Sequence, residues 1–200
     1  AGPTFSMVEP LALMNGCKSV VVPWSQALRS PEALLEGAPL IVYVCRPNNP
    51  TGLLAPRSWL DKLLEAAGGS RGPHVILDEA YADFAHDSLI TEAPRIPNLL
   101  VTRTLSKAFG LAGFRVGFGV ATPGVAREIE KSRGPYKVSR LAERAAVVAL
   151  QDEDSWAERT VAECAAARER LFLALKERGL EPFRSWTNFI FVPVPDGSAR

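Results

Sequence analysis

The sequence predicts an α/β fold with a mainly parallel central sheet and helices on both faces. Short β-branched or aliphatic runs alternate with amphipathic stretches along the 200 residues. The runs lack strict apolar–polar alternation, as expected of strands buried on both faces. Strand, helix and strand also follow one another, an order that calls for crossover connections between parallel strands. With 47% hydrophobic and 22% charged residues, the chain can build one sizeable domain, or one domain and part of a second. That composition argues against disorder and against a membrane span.

The expected strands occupy 19–23, 40–45, 74–77, 99–102 and 116–121, with helices at 59–67, 123–131 and 139–150. His74 is read simply as the residue that opens its strand. Ser155-Trp156-Ala157-Glu158 fits a capping box that opens a long helix over 155–178. Val161, Cys164, Leu171, Phe172 and Leu175 give that helix an apolar stripe. Lys176, Arg178 and Gly179 fit a basic last turn and a C′ glycine. A further strand is expected at 188–193, opening a second, smaller domain, so the chain divides into 1–154 and 155–200. Pro195-Asp196-Gly197-Ser198 are turn-forming residue types, so no closing helix is expected there.

Charge and cysteine usage narrow the chemistry. Lys+Arg total 23 against 22 Asp+Glu, so no long-range field favours nucleic acid, an anionic membrane or a polyanion. Any bound phosphate must be held locally. Cys17, Cys45 and Cys164 are odd in number and widely spaced, which fits a reducing, cytoplasmic setting better than a disulfide framework. With only His74 and His86 beside them, no zinc cage is expected. The basic residues from Arg127 to Arg144 are interleaved with Glu128, Glu130 and Glu143 and read as a solvated helical face. The spaced glycines from Gly113 to Gly119 lack the dinucleotide fingerprint.

In open parallel sheets ligands bind beyond the carboxyl ends of the strands. Three runs end in chemically unusual residues: Arg46-Pro47-Asn48-Asn49-Pro50-Thr51-Gly52, then Asp78-Glu79-Ala80-Tyr81, then Thr104-Leu105-Ser106-Lys107 followed by Gly110, Gly113 and Arg115. Each has an ordinary reading. Asn-Pro and Thr-Gly are common turn dipeptides, Asp-Glu after a strand is often a cap or a solvated surface, Ser106 fits an N-cap and Lys107 a solvated side chain. Together, the loops are expected to meet along one edge of the sheet.

These residues resemble the pyridoxal-phosphate aminotransferases of the aspartate-aminotransferase fold. Asn49-Pro50-Thr51-Gly52, Asp78-Glu79-Ala80-Tyr81 and the run from Thr104 to Gly113 with Arg115 are similar to the histidinol-phosphate aminotransferase branch. Pro3-Thr4-Phe5-Ser6-Met7 also fits, with Phe5 where that branch usually carries tyrosine. Lys137 follows Pro135-Tyr136 where that branch commonly has asparagine. The resemblance covers residues 3 to about 194. It implies that 1–154 belongs to the cofactor-binding large domain, without the family's N-terminal part, and that 155–200 is a linking helix with an incomplete small α+β domain.

The resemblance assigns roles to matching residues. Lys107 would form the Schiff base with pyridoxal 5'-phosphate and then move the proton; to attack an aldehyde, its ammonium must first lose its own. Asp78 would keep the ring nitrogen protonated, and Asn49 and Tyr81 would donate to the phenolic oxygen. Thr104, Ser106 and Arg115 would hold the phosphate, with Arg115 as a bidentate fork, and Phe5 would stack on the ring. The tight turn, X-Pro chemistry and the resemblance all predict a cis Asn49–Pro50 bond. The implied reaction moves an amino group from histidinol phosphate to 2-oxoglutarate in a homodimer with no nucleic-acid or membrane partner and no metal. Two alternatives share these residues: a threonine-phosphate decarboxylase-like enzyme, and a cofactor-sensing domain of a transcription regulator.

Overall fold

A computed structural model describes residues 1–151 and 153–194. Its centre is a four-stranded sheet in sequential order, β1 (Ile41–Cys45), β2 (His74–Asp78), β3 (Leu99–Thr104) and β4 (Gly117–Ala121). Strands β1, β2 and β3 are parallel, with Cys45 beside Asp78 and Asp78 beside Thr102. β4 runs antiparallel to β3, with Thr104 opposite Gly117. The connection between β3 and β4 holds only a 3-10 turn, Ala112–Phe114, and no crossover helix to reverse the direction.

The helices are α1 (Val8–Met14), α2 (Trp24–Ala27), α3 (Arg57–Ala66), α4 (Pro123–Ser132), α5 (Arg140–Gln151) and α6 (Trp156–Glu177). Between β1 and β2 the crossover is α3, which buries Trp59, Leu60 and Leu63 on one stripe. These pack with Val42, Val44, Val75, Leu77, Leu99 and Val101, the alternate residues that share one face of the sheet. Burying this layer stabilises the fold by about 25 cal/mol per Å² of apolar surface removed from water. The other alternate set, Tyr43, Ile76, Asp78, Leu100 and Thr102, is only half-buried. Ala142 and Ala146 of α5 pack on Leu105 and Val116, and Val161 of α6 packs on Tyr81, Phe84 and Ala108. The last two helices therefore seat against the loops that leave the sheet's carboxyl edge.

Several expected elements differ. The run 19–23 is not a strand: it makes one isolated bridge, Gly2 with Pro23, and Val20 and Val21 are exposed. An apolar run becomes a strand only where a ladder partner lies alongside, and here that partner is a single residue. The 188–193 segment forms no strand: the Phe189 N–H bonds the Thr187 hydroxyl and the Phe183 N–H donates to the Phe191 carbonyl, with no ladder.

Ser155 does not form a capping box, because its backbone is left-handed (φ 51°) and its side chain makes no capping bond. A working N-cap keeps extended dihedrals so that its oxygen meets the N–H groups of the first turn. Thr122 does this for α4, accepting from the Val125 N–H with Pro123 in the first position. On α6, Val161 and Phe172 are buried but Leu171 is exposed, so the stripe is narrower than expected. Gly179 has φ 76° and closes the helix as a C′ residue, with the Leu180 N–H bonded to the Leu175 carbonyl. Exposed pairs Lys131 with Glu128 and Arg133 with Glu130 agree with a solvated basic face on α4. Among the described residues no helix is long and apolar enough to cross a membrane.

Candidate active site

The three loops do meet at the carboxyl edge. The first is built around Asn48, fully buried, whose amide nitrogen donates to the Pro3 carbonyl (3.0 Å) and the Thr51 hydroxyl (2.8 Å). Its side-chain oxygen accepts from the Thr4 hydroxyl at 3.1 Å. One side chain thus fastens the Pro3–Thr4 segment, just before Phe5, to the turn that presents Asn49. The Arg46–Pro47 and Asn49–Pro50 bonds are cis, the second as expected. Gly52 has φ +73°, and a Cβ there would lie 2.4 Å from Ser185 Oγ, so only glycine fits. The Trp186 N–H donates to the Gly52 carbonyl at 2.9 Å, which brings the end of the described chain onto this loop.

At the end of β2 two neighbouring carboxylates part company, because the pleat sends successive side chains to opposite faces. Asp78 lies on the half-buried face. Its Oδ1 accepts from the Ala80 N–H (3.0 Å) and its Oδ2 from the Tyr43 hydroxyl (2.5 Å). Glu79 lies on the core face, wholly buried, accepting from the Ser88 hydroxyl (2.5 Å), the Leu89 N–H (2.7 Å) and Arg103 (3.4 Å). Burial pushes its carboxyl above the usual range, and these donors offset part of the push. Arg103 also pairs with Asp83. Arg46, on the same core side, donates to the Ala55 carbonyl (2.7 Å) and to Asp87 (2.6 Å), and its guanidinium holds the Asp87 carboxyl below the usual range. An ionic layer therefore caps the core face, leaving the opposite face to Asp78.

Tyr81 is buried under Phe189, which meets its ring edge-on at 5.3 Å. The Asn49 amide donates to the Tyr81 hydroxyl at 3.5 Å, and Lys107 Nζ stands 5.4 Å from the Tyr81 ring centroid. In the third loop the Thr104 hydroxyl accepts from the Ser106 N–H at 3.1 Å. Leu105 and Ala108 are buried on either side and leave Lys107 exposed between them. Arg115 has φ 54° and donates to the Ala112 carbonyl at 2.8 Å, within its own turn. Phe5 is exposed. The structure thus joins Asn49, Tyr81 and Lys107 directly and places Asp78, Thr104 and Ser106 on the same edge. Arg115 and Phe5 make no hydrogen bond or ring contact with the others among the described residues. With cations, hydroxyls, an amide and one anchored carboxylate, the edge can hold a small anionic ligand that carries both a basic and an acidic ring atom.

A family model described as aminotransferase class I and II matches residues 1–200. The chain belongs to that aminotransferase family. It is 37% identical over 195 residues to histidinol-phosphate aminotransferase 2 of Archaeoglobus fulgidus, covering 95% of this chain and 54% of that one. With the histidinol-phosphate aminotransferase of Methylibium petroleiphilum it shares 38% over 203 residues, covering 98% and 54%. Among solved structures, histidinol-phosphate aminotransferase from Sinorhizobium meliloti in complex with pyridoxal-5'-phosphate superimposes with a TM-score of 0.86 at 31% identity, covering 94% of this chain and 52% of that one. The chain spans about half the length of the curated relatives it matches.

Sequence reasoning missed several residues that shape this aminotransferase edge. Tyr43 sits inside an apolar strand run, and only the register of β1 on β2 puts its hydroxyl next to Asp78. Arg46 and Glu79 did carry a signal, since each is a charge placed directly after a buried strand, where it must find a partner or a capping role. Ser185 and Phe189 gave none, because their contacts depend on where the chain returns.

Proposed function

We propose that the whole protein is a pyridoxal-phosphate-dependent aminotransferase that moves an amino group from histidinol phosphate to 2-oxoglutarate. The observation that carries this reading is the Asn49, Tyr81 and Lys107 cluster beside the anchored carboxylate of Asp78. The donor set fits the cofactor. Asp78 offers a carboxylate with both oxygens already held, suited to keep a proton on the ring nitrogen. Asn49 and Tyr81 offer N–H and O–H donors for the phenolic oxygen, and Thr104, Ser106 and Arg115 offer hydroxyls and a guanidinium for the phosphate. When bound, pyridoxal phosphate supplies an aldehyde that takes up amines and a ring that withdraws the electron pair from the substrate carbon.

Lys107 Nζ, exposed at the site, is the group that takes and returns the proton. Phe5 provides an aromatic face for the ring. The division into a large domain over 1–154 and a linking helix with the start of a small domain from 155 belongs to this reading. So do the homodimer, which the family resemblance supports, and the cytoplasm, where three free cysteines stay reduced.

Borohydride reduction of the full-length protein with pyridoxal phosphate, followed by peptide mapping, should label Lys107. A label on Lys18, Lys62 or Lys131 instead would overturn the assignment. Formation of glutamate from 2-oxoglutarate and histidinol phosphate tests the substrate. Release of carbon dioxide from threonine phosphate in its place would refute transamination.

A further inference from the structure

We infer that Tyr43 is a positioning residue for the ring-nitrogen carboxylate: its hydroxyl fixes the plane of Asp78 and so governs how strongly the site grips a protonated pyridine. The inference rests on the proposed role of Asp78. Tyr43 and Asp78 lie on the same face of the sheet, two residue pairs apart along the β1–β2 ladder, and Tyr43 reaches diagonally to Oδ2 at 2.5 Å. Oδ1 is held by the Ala80 N–H in the same turn at 3.0 Å. With one donor on each oxygen, the carboxylate cannot rotate without losing a charge-assisted bond, and its free lone pairs stay aimed at one position. Tyr43 is suited to be a permanent donor. Burial, then the neighbouring Cys45 and Asp78, push its phenol well above the ordinary value, so the hydroxyl keeps its proton throughout the working range. No other side chain bonds either oxygen of Asp78 among the described residues. Glu79, its neighbour in sequence, faces away into the core and cannot substitute.

The test is a ratio of affinities. Full-length apoprotein is titrated with pyridoxal phosphate and with its deaza analogue, in which carbon replaces the ring nitrogen, by equilibrium dialysis. Wild type should prefer the pyridine, and Asp78→Asn should abolish that preference. Tyr43→Phe keeps the ring and removes only the hydroxyl; it should weaken pyridoxal phosphate by about ten-fold or more, the scale of one hydrogen bond to a charged group, while leaving the deaza analogue unchanged. If Tyr43→Phe weakens both ligands equally, its role is packing and the inference fails. If Asp78→Asn abolishes the preference but Tyr43→Phe leaves it intact, the inference again fails while the role of Asp78 stands. If Asp78→Asn leaves the preference untouched, the reading of Asp78 itself falls, and the inference with it.

Discussion

Replacing Arg103 by methionine removes the cation that faces two carboxylates on the core side of the sheet edge. In the native protein its guanidinium lies 3.4 Å from Glu79 and also pairs with Asp83, with Glu79 fully buried and Arg103 itself 13% exposed. Methionine is also long and unbranched, so most of the loss is electrostatic. Removing one partner of a buried pair costs about 3–5 kcal/mol. Glu79 keeps two neutral donors, Ser88 and the Leu89 N–H, which places the loss near the lower end, about 3 kcal/mol.

The effect depends on pH with a definite sign. Burial already holds the Glu79 carboxyl above its usual range in the folded chain, and loss of Arg103 lifts it further. The folded variant therefore binds a proton that the unfolded chain, titrating near ~4.3, has released. Stability is regained as pH falls toward that lower value and lost as pH rises through the folded one. Urea denaturation of full-length wild type and Arg103→Met at about pH 8 and about pH 5.5 should show the gap between them narrowing by about 1 kcal/mol or more in acid. An equal gap at both values, or one under about 1 kcal/mol at the higher pH, would refute the ionic-cap argument.

Other outcomes are expected from the site itself. Asp78→Asn should leave thermal stability nearly unchanged but lower kcat about 100-fold or more, far beyond any effect on cofactor affinity; normal single-turnover rates would mean that Asp78 does not face the ring nitrogen. Lys107→Ala should abolish borohydride labelling while cofactor still binds reversibly, as seen by dialysis; persistent covalent attachment would show another lysine at work. Gly52→Ala should cost about 1–3 kcal/mol in thermal unfolding, and Ser185→Ala should not rescue it, because the new methyl also meets the Ser185 Cβ and Cα at 2.6 and 2.9 Å; full rescue would refute the clash. The Cys45 thiol, buried and pushed up to about 12 by burial and then by Asp78, should resist alkylation at about pH 8 until denaturant is added, and labelling in the native protein, read by mass spectrometry, would contradict that environment.

How far the fold could be read from sequence depended on whether a signal was local. β1, β2, β3 and α3 were legible because their apolar spacing is written in consecutive residues, and so were the loops that follow them. The run at 19–23 had the same composition as a strand, yet composition says nothing about what lies beside it. Ser155 showed the same limit at a helix start: its side chain was right for a cap, but the backbone turned left-handed. At the site, Asp78 and Glu79 look interchangeable in sequence, and only the pleat separates the site-facing carboxylate from the one that closes the core. Tyr43 needed one step more, since its contact crosses two strands and exists only once their register is known.

The contacts of residues 185–189 with the first two loops bear on how the molecule comes to be made. Ser185 fills the space over Gly52, the Trp186 N–H holds the Gly52 carbonyl, and Phe189 covers the ring of Tyr81. A ribosome emits the chain from its first residue, so β1, β2 and β3 emerge and can pair long before this segment leaves the exit tunnel. During that interval the turn that carries Asn49 has no lid, and Tyr81 lacks its edge-on neighbour. Closing so long a stretch of chain is entropically slow. The sheet is therefore an early product of synthesis, and a finished cofactor edge is a late one.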